Sequence, residues 1–196
     1  KNPLDEVIEP RATQEEMTNF IETELTESLK GLPTRTTQFG RFDKGLAYTI
    51  LMKYYMHEKN WAKAEECGRE LLKAEYGYGL MDRYADIFTL ENEGNKEIIF
   101  ACTEERGTNL QLWHDHALPG NYPTKNASIQ KWDGYKVPWP FYRTFEEGDD
   151  RLSVLVGEYV GTDGVLFNEE SDIAKHGNLY SGAVPVKYGE DPESTG

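Results

Sequence analysis

Cysteine is scarce in this chain. Cys67 and Cys102 are the only two, too few for a disulfide scaffold, and both read as separate buried thiols. Long apolar runs are missing as well. A membrane-crossing helix needs about 20 such residues, and nothing approaches that length. No stretch has the charged start, apolar middle and small-residue cleavage site of a signal peptide. Positive charge is in deficit: 21 Lys and Arg stand against 35 Asp and Glu, a formal net charge of −14. A nucleic-acid or anionic-membrane partner needs the opposite field. Aliphatic content is also low. Hydrophobic residues make up 38% and the mean hydropathy is −0.70, a thin core for 196 residues. Finally, there is no Gly-x-Ser-x-Gly elbow, phosphate-binding loop or dinucleotide fingerprint.

Aromatic side chains are what the sequence has. They make up 12% of it, led by 12 Tyr. Together with an acidic surface, that composition suits uncharged ligands such as sugars.

Periodicity is clearest in the first half. Thr13-Gln-Glu-Glu16 is a capping box, and Met17, Phe20, Ile21, Leu25 and Leu29 follow on one helical face until Gly31 and Pro33 stop it. Gly40 to Leu80 reads as two amphipathic helices. Asp43 caps the first, which carries Phe42, Leu46, Ala47, Ile50, Leu51, Tyr54 and Tyr55 on one face. His57-Glu58-Lys59 connects them. Asn60 caps the second, with Trp61, Ala64, Cys67, Gly68, Leu71 and Leu72 on one face. Ala64 and Gly68 are one turn apart and allow a close helix approach. Trp61 is expected in the core. The pair is about the length of a tetratricopeptide (TPR) repeat.

Regular periodicity fades after the hairpin. Tyr84, Ile87, Phe88 and Leu90 suggest a short helical turn. Glu97 to Thr103 is an apolar, β-rich run expected to be a buried strand. Pro140 to Glu147 fits a short helix closed by Gly148, with Trp139 and Phe141 in the core. Leu152 to Val160 fits one or two strands. The expected fold is mainly α: TPR-like helical hairpins over 1–90 and a loop-rich ligand-binding region with a few short strands over 91–196, together one continuous domain.

Sugar recognition uses flat apolar faces with planar polar side chains beside them. Two loop stretches offer this. Asn109 to His116 places Trp113 among Asn109, Gln111, His114 and Asp115. Asn121-Tyr122 and then Gln130 to Tyr135 place Trp132 and Tyr135 beside Lys131 and Asp133. The candidate ligand-binding set is Trp113 and Trp132 as platforms, Tyr122 and Tyr135 as support, and Asn109, Asp115 and Lys131 as hydrogen-bonding groups. The competing reading makes these rings the core of a region poor in aliphatics. His114-Asp-His116 resembles a metal-ligand pair, but no third ligand can be assigned. Glu146, Glu147, Asp149 and Asp150 are adjacent rather than across a cleft, and with Arg151 they read as a solvated helix end with an Asp150–Arg151 type pairing. No catalytic residue, metal or cofactor is expected.

In order, the helix led by Thr13, GRFDKGLAYTILMKYYMHEKNWAKAEECGRELLKAEYGYGL, YADIFTLENEGNKEIIFA, WDGYKVPWPFYRTFEEGDDR and VPVKYGEDPES resemble the SusD/RagB family of nutrient-binding lipoproteins. The resemblance implies a non-enzymatic protein that binds oligosaccharides, or in some cases peptides. It implies a location on the outer face of the outer membrane, held by an N-terminal lipid anchor absent here, and a SusC-like TonB-dependent transporter as partner. On that reading the chain is an internal fragment, without the lipid-bearing cysteine and the C-terminal helical part. The hairpin alone supports the alternative of a TPR-type protein or peptide interaction module.

Overall fold

A computed structural model describes residues 10–104, 112–173 and 177–193. Two compact units, Lys1–Tyr78 and Gly79–Gly196, divide the chain.

The first unit is built on three helices. The capping box starts α1, Gln14–Gly31: Thr13 accepts from the Glu16 amide while the Glu16 carboxylate takes the Thr13 amide. Two of the helix's otherwise orphaned donors are thereby satisfied. Asp43 caps α2, Lys44–His57, accepting from Leu46 N at 3.0 Å, and its second oxygen accepts from Thr36 N. Asn60 caps α3, Trp61–Leu71. Leu51, Tyr55, Ala64 and Cys67 form the core between α2 and α3, with Leu25 and Leu29 of α1 packed on it. The near-bare backbone at Gly68 lets the Met52 sulfur close in; a Cβ there would sit 3.4 Å from it. Polar ties fasten α1 across the pair: Tyr54 Oη donates to Thr18 Oγ1 at 2.7 Å, and Lys63 pairs with Glu22 at 3.0 Å.

The core stripe is narrower than the sequence pattern. Phe42 and Ile50 are exposed, as are Met17 and Phe20 of α1. One antiparallel neighbour covers only the Ala47–Leu51–Tyr55 line of α2. Trp61 is 62% exposed rather than core. It is the first residue of α3, and helical side chains lean toward their own N-terminus, so its indole leans past the hairpin tip.

The second unit is mostly turns. Two 3-10 turns, Tyr84–Phe88 and Leu90–Asn92, open it. Then come α4 (Trp113–Ala117), β1 (Val137–Pro138), α5 (Trp139–Tyr142), a 3-10 turn at Asp150–Val154, β2 (Leu155–Val156), β3 (Glu158–Val160), β4 (Leu166–Asn168), α6 (Glu169–Ile173) and β5 (Gly182–Pro185). β5 lies between β1 and β2, antiparallel to both, and β3–β4 is a separate hairpin. Ala117, Leu118, Trp139, Tyr159, Leu179, Ala183 and Val184 form the core. Trp139 is pinned there, as expected, by donating to the Leu179 carbonyl at 2.9 Å.

Three local expectations are corrected. Glu97 to Thr103 forms no strand among the described residues; the run turns instead, with Ile98 N donating to Asn95 O. Apolar β-formers need a paired edge, and Asn95 closes a local turn over that start by also accepting from Glu97 N. Cys102 is consequently exposed, whereas Cys67 is buried. The helix expected from Pro140 to Glu147 begins at Trp139 and lasts one turn, and Phe141 is exposed. The Thr144 hydroxyl and amide both bond the Phe141 carbonyl, closing the helix early. Mainly helical with a few short strands, the chain has no helix among the described residues long and apolar enough to cross a membrane.

Candidate functional site

α4 and the loop after it create an exposed aromatic surface in the second unit. A short helix leaves its last carbonyls without intrahelical partners. Here the loop supplies the donors. Trp132 N donates to Asp115 O, Asp133 N to Leu118 O at 3.0 Å, and Gly134 N and Tyr135 N both to His116 O. To do this the chain takes left-handed turns on both sides of Trp132, with φ of 58° at Lys131 and 55° at Asp133. Such conformations are uncommon for non-glycine residues and persist only when the surroundings enforce them. Gly134 passes so close that a Cβ would sit 3.2 Å from the His116 carbonyl. The Asp115 carboxylate is buried and accepts from Gln130 N at 2.8 Å; the Lys131 ammonium reaches back to Tyr122 O at 2.9 Å; Lys136 pairs with Asp133. Trp132 is the side chain this framework holds outward, 52% exposed.

Rings line up from there. His116 meets Trp132 edge-on with centroids 4.7 Å apart and stacks on Tyr135 at 5.0 Å. Tyr135 contacts Trp113 at 5.4 Å, Trp113 contacts Tyr188 at 5.4 Å, and Tyr188 contacts Phe88 at 5.6 Å. The six rings form one strip. Leu112, Trp113, His116 and Tyr135 line a shallow cleft of about 370 Å³ along it. Trp113 is the fixed wall, because its indole N–H donates to Pro185 O at 2.9 Å. His114 Nε2 donates to the Tyr188 carbonyl at 3.0 Å and ties the far end. Trp132 Nε1, Tyr135 Oη, Tyr188 Oη and the His116 ring nitrogens have no hydrogen-bond partner among the described residues. Apolar faces thus carry free polar edges.

The predicted residues divide accordingly. Trp113, Trp132 and Tyr135 come together on the strip. Asp115 and Lys131 hold the loop under it. Tyr122 packs on Tyr159 in the core at 5.0 Å, and burial raises its phenol pKa. Asn109 lies outside the described residues, as does Gln111. Sequence reasoning gave His116 no role beside the rings and left out Leu112, Phe88 and Tyr188. Leu112 and His116 sat within the stretch singled out. Phe88 and Tyr188 lie far away in sequence, and no spacing signals that they meet.

Two other concavities lie in this unit. Trp139, Tyr142, Gly157, Glu158, Asn168, Glu169 and Glu170 surround one of about 720 Å³. Thr144, Glu146, Glu147, Gly148, Asp149 and Arg151 surround another of about 430 Å³. The partner of Arg151 is Asp149, not the expected Asp150, and its guanidinium bonds hold the Asp149 carboxyl down to about 2. Asp150 instead accepts from the Tyr84 amide. Among the described residues no group of three His, Cys, Asp or Glu could hold a metal ion.

No protein-family profile matches the chain, and no curated protein sequence does either. Solved structures do, and they define the fold as SusD-like. Surface glycan-binding protein A from Bacteroides thetaiotaomicron in complex with laminarihexaose matches with a TM-score of 0.67 and 18% identity, over 92% of this chain and 42% of that one. A SusD superfamily protein from Bacteroides fragilis matches with a TM-score of 0.62 and 16% identity, over 91% and 42%. A SusD-like protein from the same species matches with a TM-score of 0.58 and 24% identity, over 72% and 28%. The chain therefore spans well under half the length of these structures.

Proposed function

We propose that the chain belongs to a non-catalytic, cell-surface glycan-binding protein and that the ring strip around Trp132 is its ligand platform. The observation that carries this is the outward Trp132, braced by two left-handed residues and flanked by rings with free polar edges. An indole or phenol face covers roughly 80 Å² of a pyranose, worth about 2 kcal/mol before ordering costs. Several such contacts bind weakly and reversibly, which suits a protein that passes its ligand on. The laminarihexaose-bound neighbour of the same fold supports an oligosaccharide as the ligand class. By the same analogy, the protein sits lipid-anchored on the outer membrane and delivers its ligand to a SusC-like TonB-dependent transporter.

Affinity electrophoresis through gels containing single polysaccharides tests the reading. We expect retardation by at least one glycan, reduced by Trp132→Ala. Unretarded migration in every gel, with no change of Trp fluorescence on titrating oligosaccharides, would refute it. A second reading, a protein-interaction module, rests on the exposed Met17, Phe20 and Trp61 of the helical unit. A captured peptide partner released by Trp61→Glu, with no glycan binding, would favour that reading.

A further inference from the structure

Lys187 lies at the Phe88–Tyr188 end of the strip. Its ammonium sits 4.0 Å from the Phe88 ring centroid and 5.7 Å from that of Tyr188. Cation–π attraction holds a charge over an aromatic face without neutralising it. Among the described residues no carboxylate comes within 4.0 Å of this ammonium, although Asp and Glu outnumber Lys and Arg by 35 to 21. Other lysines near the strip are occupied: Lys131 bonds the Tyr122 carbonyl and Lys136 pairs with Asp133. Lys187 is also half-buried, so solvent screens it less than it screens a fully exposed side chain.

We infer that the strip takes carboxylate-bearing sugars, and that Lys187 sets this preference by pairing with a uronate stacked beside Tyr188. The inference rests on the glycan-binding reading and names its ligand class. A pyranose stacked on Tyr188, with the Trp113 ring set edge-on to that face, points substituents at its rim toward the Phe88 side, where the ammonium lies. A carboxylate there gains a charge-assisted hydrogen bond that a neutral hydroxymethyl group cannot match. The net charge of −14 works against indiscriminate polyanion binding. At physiological salt the Debye length is about 8 Å, so distant carboxylates are screened while the local pair persists. Affinity for an acidic glycan therefore has to come from this end of the strip.

The test is affinity electrophoresis of the chain in polygalacturonate, alginate and hyaluronan, each paired with its carboxyl-reduced neutral form, and in polyglutamate. The expected result is stronger retardation by at least one acidic glycan than by its reduced form. Lys187→Gln should weaken that acidic binding about five- to tenfold, Lys187→Arg should retain most of it, and neither should change binding to the reduced polymer. Lys59→Gln, a remote charge removal, should change nothing. Equal binding of acidic and reduced forms, or acidic binding indifferent to Lys187→Gln, overturns the inference while leaving the glycan reading intact. Equal retardation by polyglutamate overturns it as nonspecific charge attraction. Binding of neutral glycans only also overturns it. Binding of no glycan at all overturns the parent reading, and the inference with it. Circular dichroism of Lys187→Gln checks the fold; the ammonium's partners are the Phe88 and Tyr188 rings, so the spectrum should be unchanged.

Discussion

Each unit of the chain exposes a tryptophan, and the two are held differently. Trp61 is 62% exposed at the first position of α3, outside the core that Leu51, Tyr55, Ala64 and Cys67 form. Trp132 is 52% exposed because strained backbone on both sides and bonds to three carbonyls of the α4 turn hold it outward. The first exposure follows from helix geometry, while the second is maintained against a conformational cost. Tyrosines show the same contrast. In the helical unit they pack: Tyr76 stacks on Tyr78 at 6.0 Å, and Tyr78 fits against Gly45 so closely that a Cβ there would lie 1.9 Å from its hydroxyl. In the loop-rich unit Tyr135 and Tyr188 leave faces and hydroxyls to solvent. Aromatic content alone does not mark a site. The proposed site rests instead on a ring kept outward at a backbone cost.

If the helical unit is scaffold, breaking its core should cost stability and not affinity. Leu51→Ala should lower unfolding free energy by about 2–5 kcal/mol in urea titrations, with unchanged glycan affinity wherever the protein remains folded. Affinity falling in step with Leu51→Ala would erase the distinction. Within the loop-rich unit, Tyr159→Phe removes a hydroxyl that donates to Asn121 Oδ1 at 2.9 Å and accepts from Asn178 Nδ2 at 2.7 Å. We expect a loss of about 1–2 kcal/mol. Burial pushes the Tyr159 phenol up to about 12. The folded state holds it neutral, so its contribution is complete below about pH 10 and is lost as pH rises toward 12. The urea midpoint of Tyr159→Phe should lack this alkaline step.

Gly134→Ala inverts the first experiment. Its Cβ would crowd the His116 carbonyl and displace the loop that carries Trp132. We expect about 1 kcal/mol of stability to be lost, the low end of the overpacking range, but a severalfold weaker glycan affinity. The smallest effect belongs to Arg151→Met. Asp149 is held down to about 2 by Arg151, so the pair favours the fold above the ordinary carboxylate range near pH 4 and loses that contribution as pH falls toward 2. A carboxyl NMR titration should find Asp149 returned to its ordinary range in the variant, with glycan affinity unchanged.

Local signals made much of this legible from sequence. The Thr13–Glu16 box, the Asp43 and Asn60 caps and the Ala64–Gly68 pair act within a few residues, and each stands where its spacing placed it. What depended on distant partners was not legible. Glu97 to Thr103 has strand composition and no paired edge among the described residues. Phe141 follows a proline-led helix start and then loses the helix to Thr144. At the candidate site, Trp113, Trp132 and Tyr135 could be proposed from their loop setting. Their order along a strip could not, because Phe88 and Tyr188 join it from opposite ends of the unit. Asp115 and Lys131 carried the polar character expected of ligand contacts, yet their partners are backbone groups of the loop itself.

The most direct measurement sets the two tryptophans against each other. Isothermal titration of Trp61→Ala and Trp132→Ala with a retarding oligosaccharide, alongside their urea unfolding curves, reads site and scaffold at once. We predict that Trp132→Ala weakens binding at least about tenfold, in keeping with loss of roughly 2 kcal/mol of stacking, while Trp61→Ala leaves affinity unchanged and both variants unfold near the parent midpoint. Equal affinities for the two variants, or loss confined to Trp61→Ala, would contradict the account.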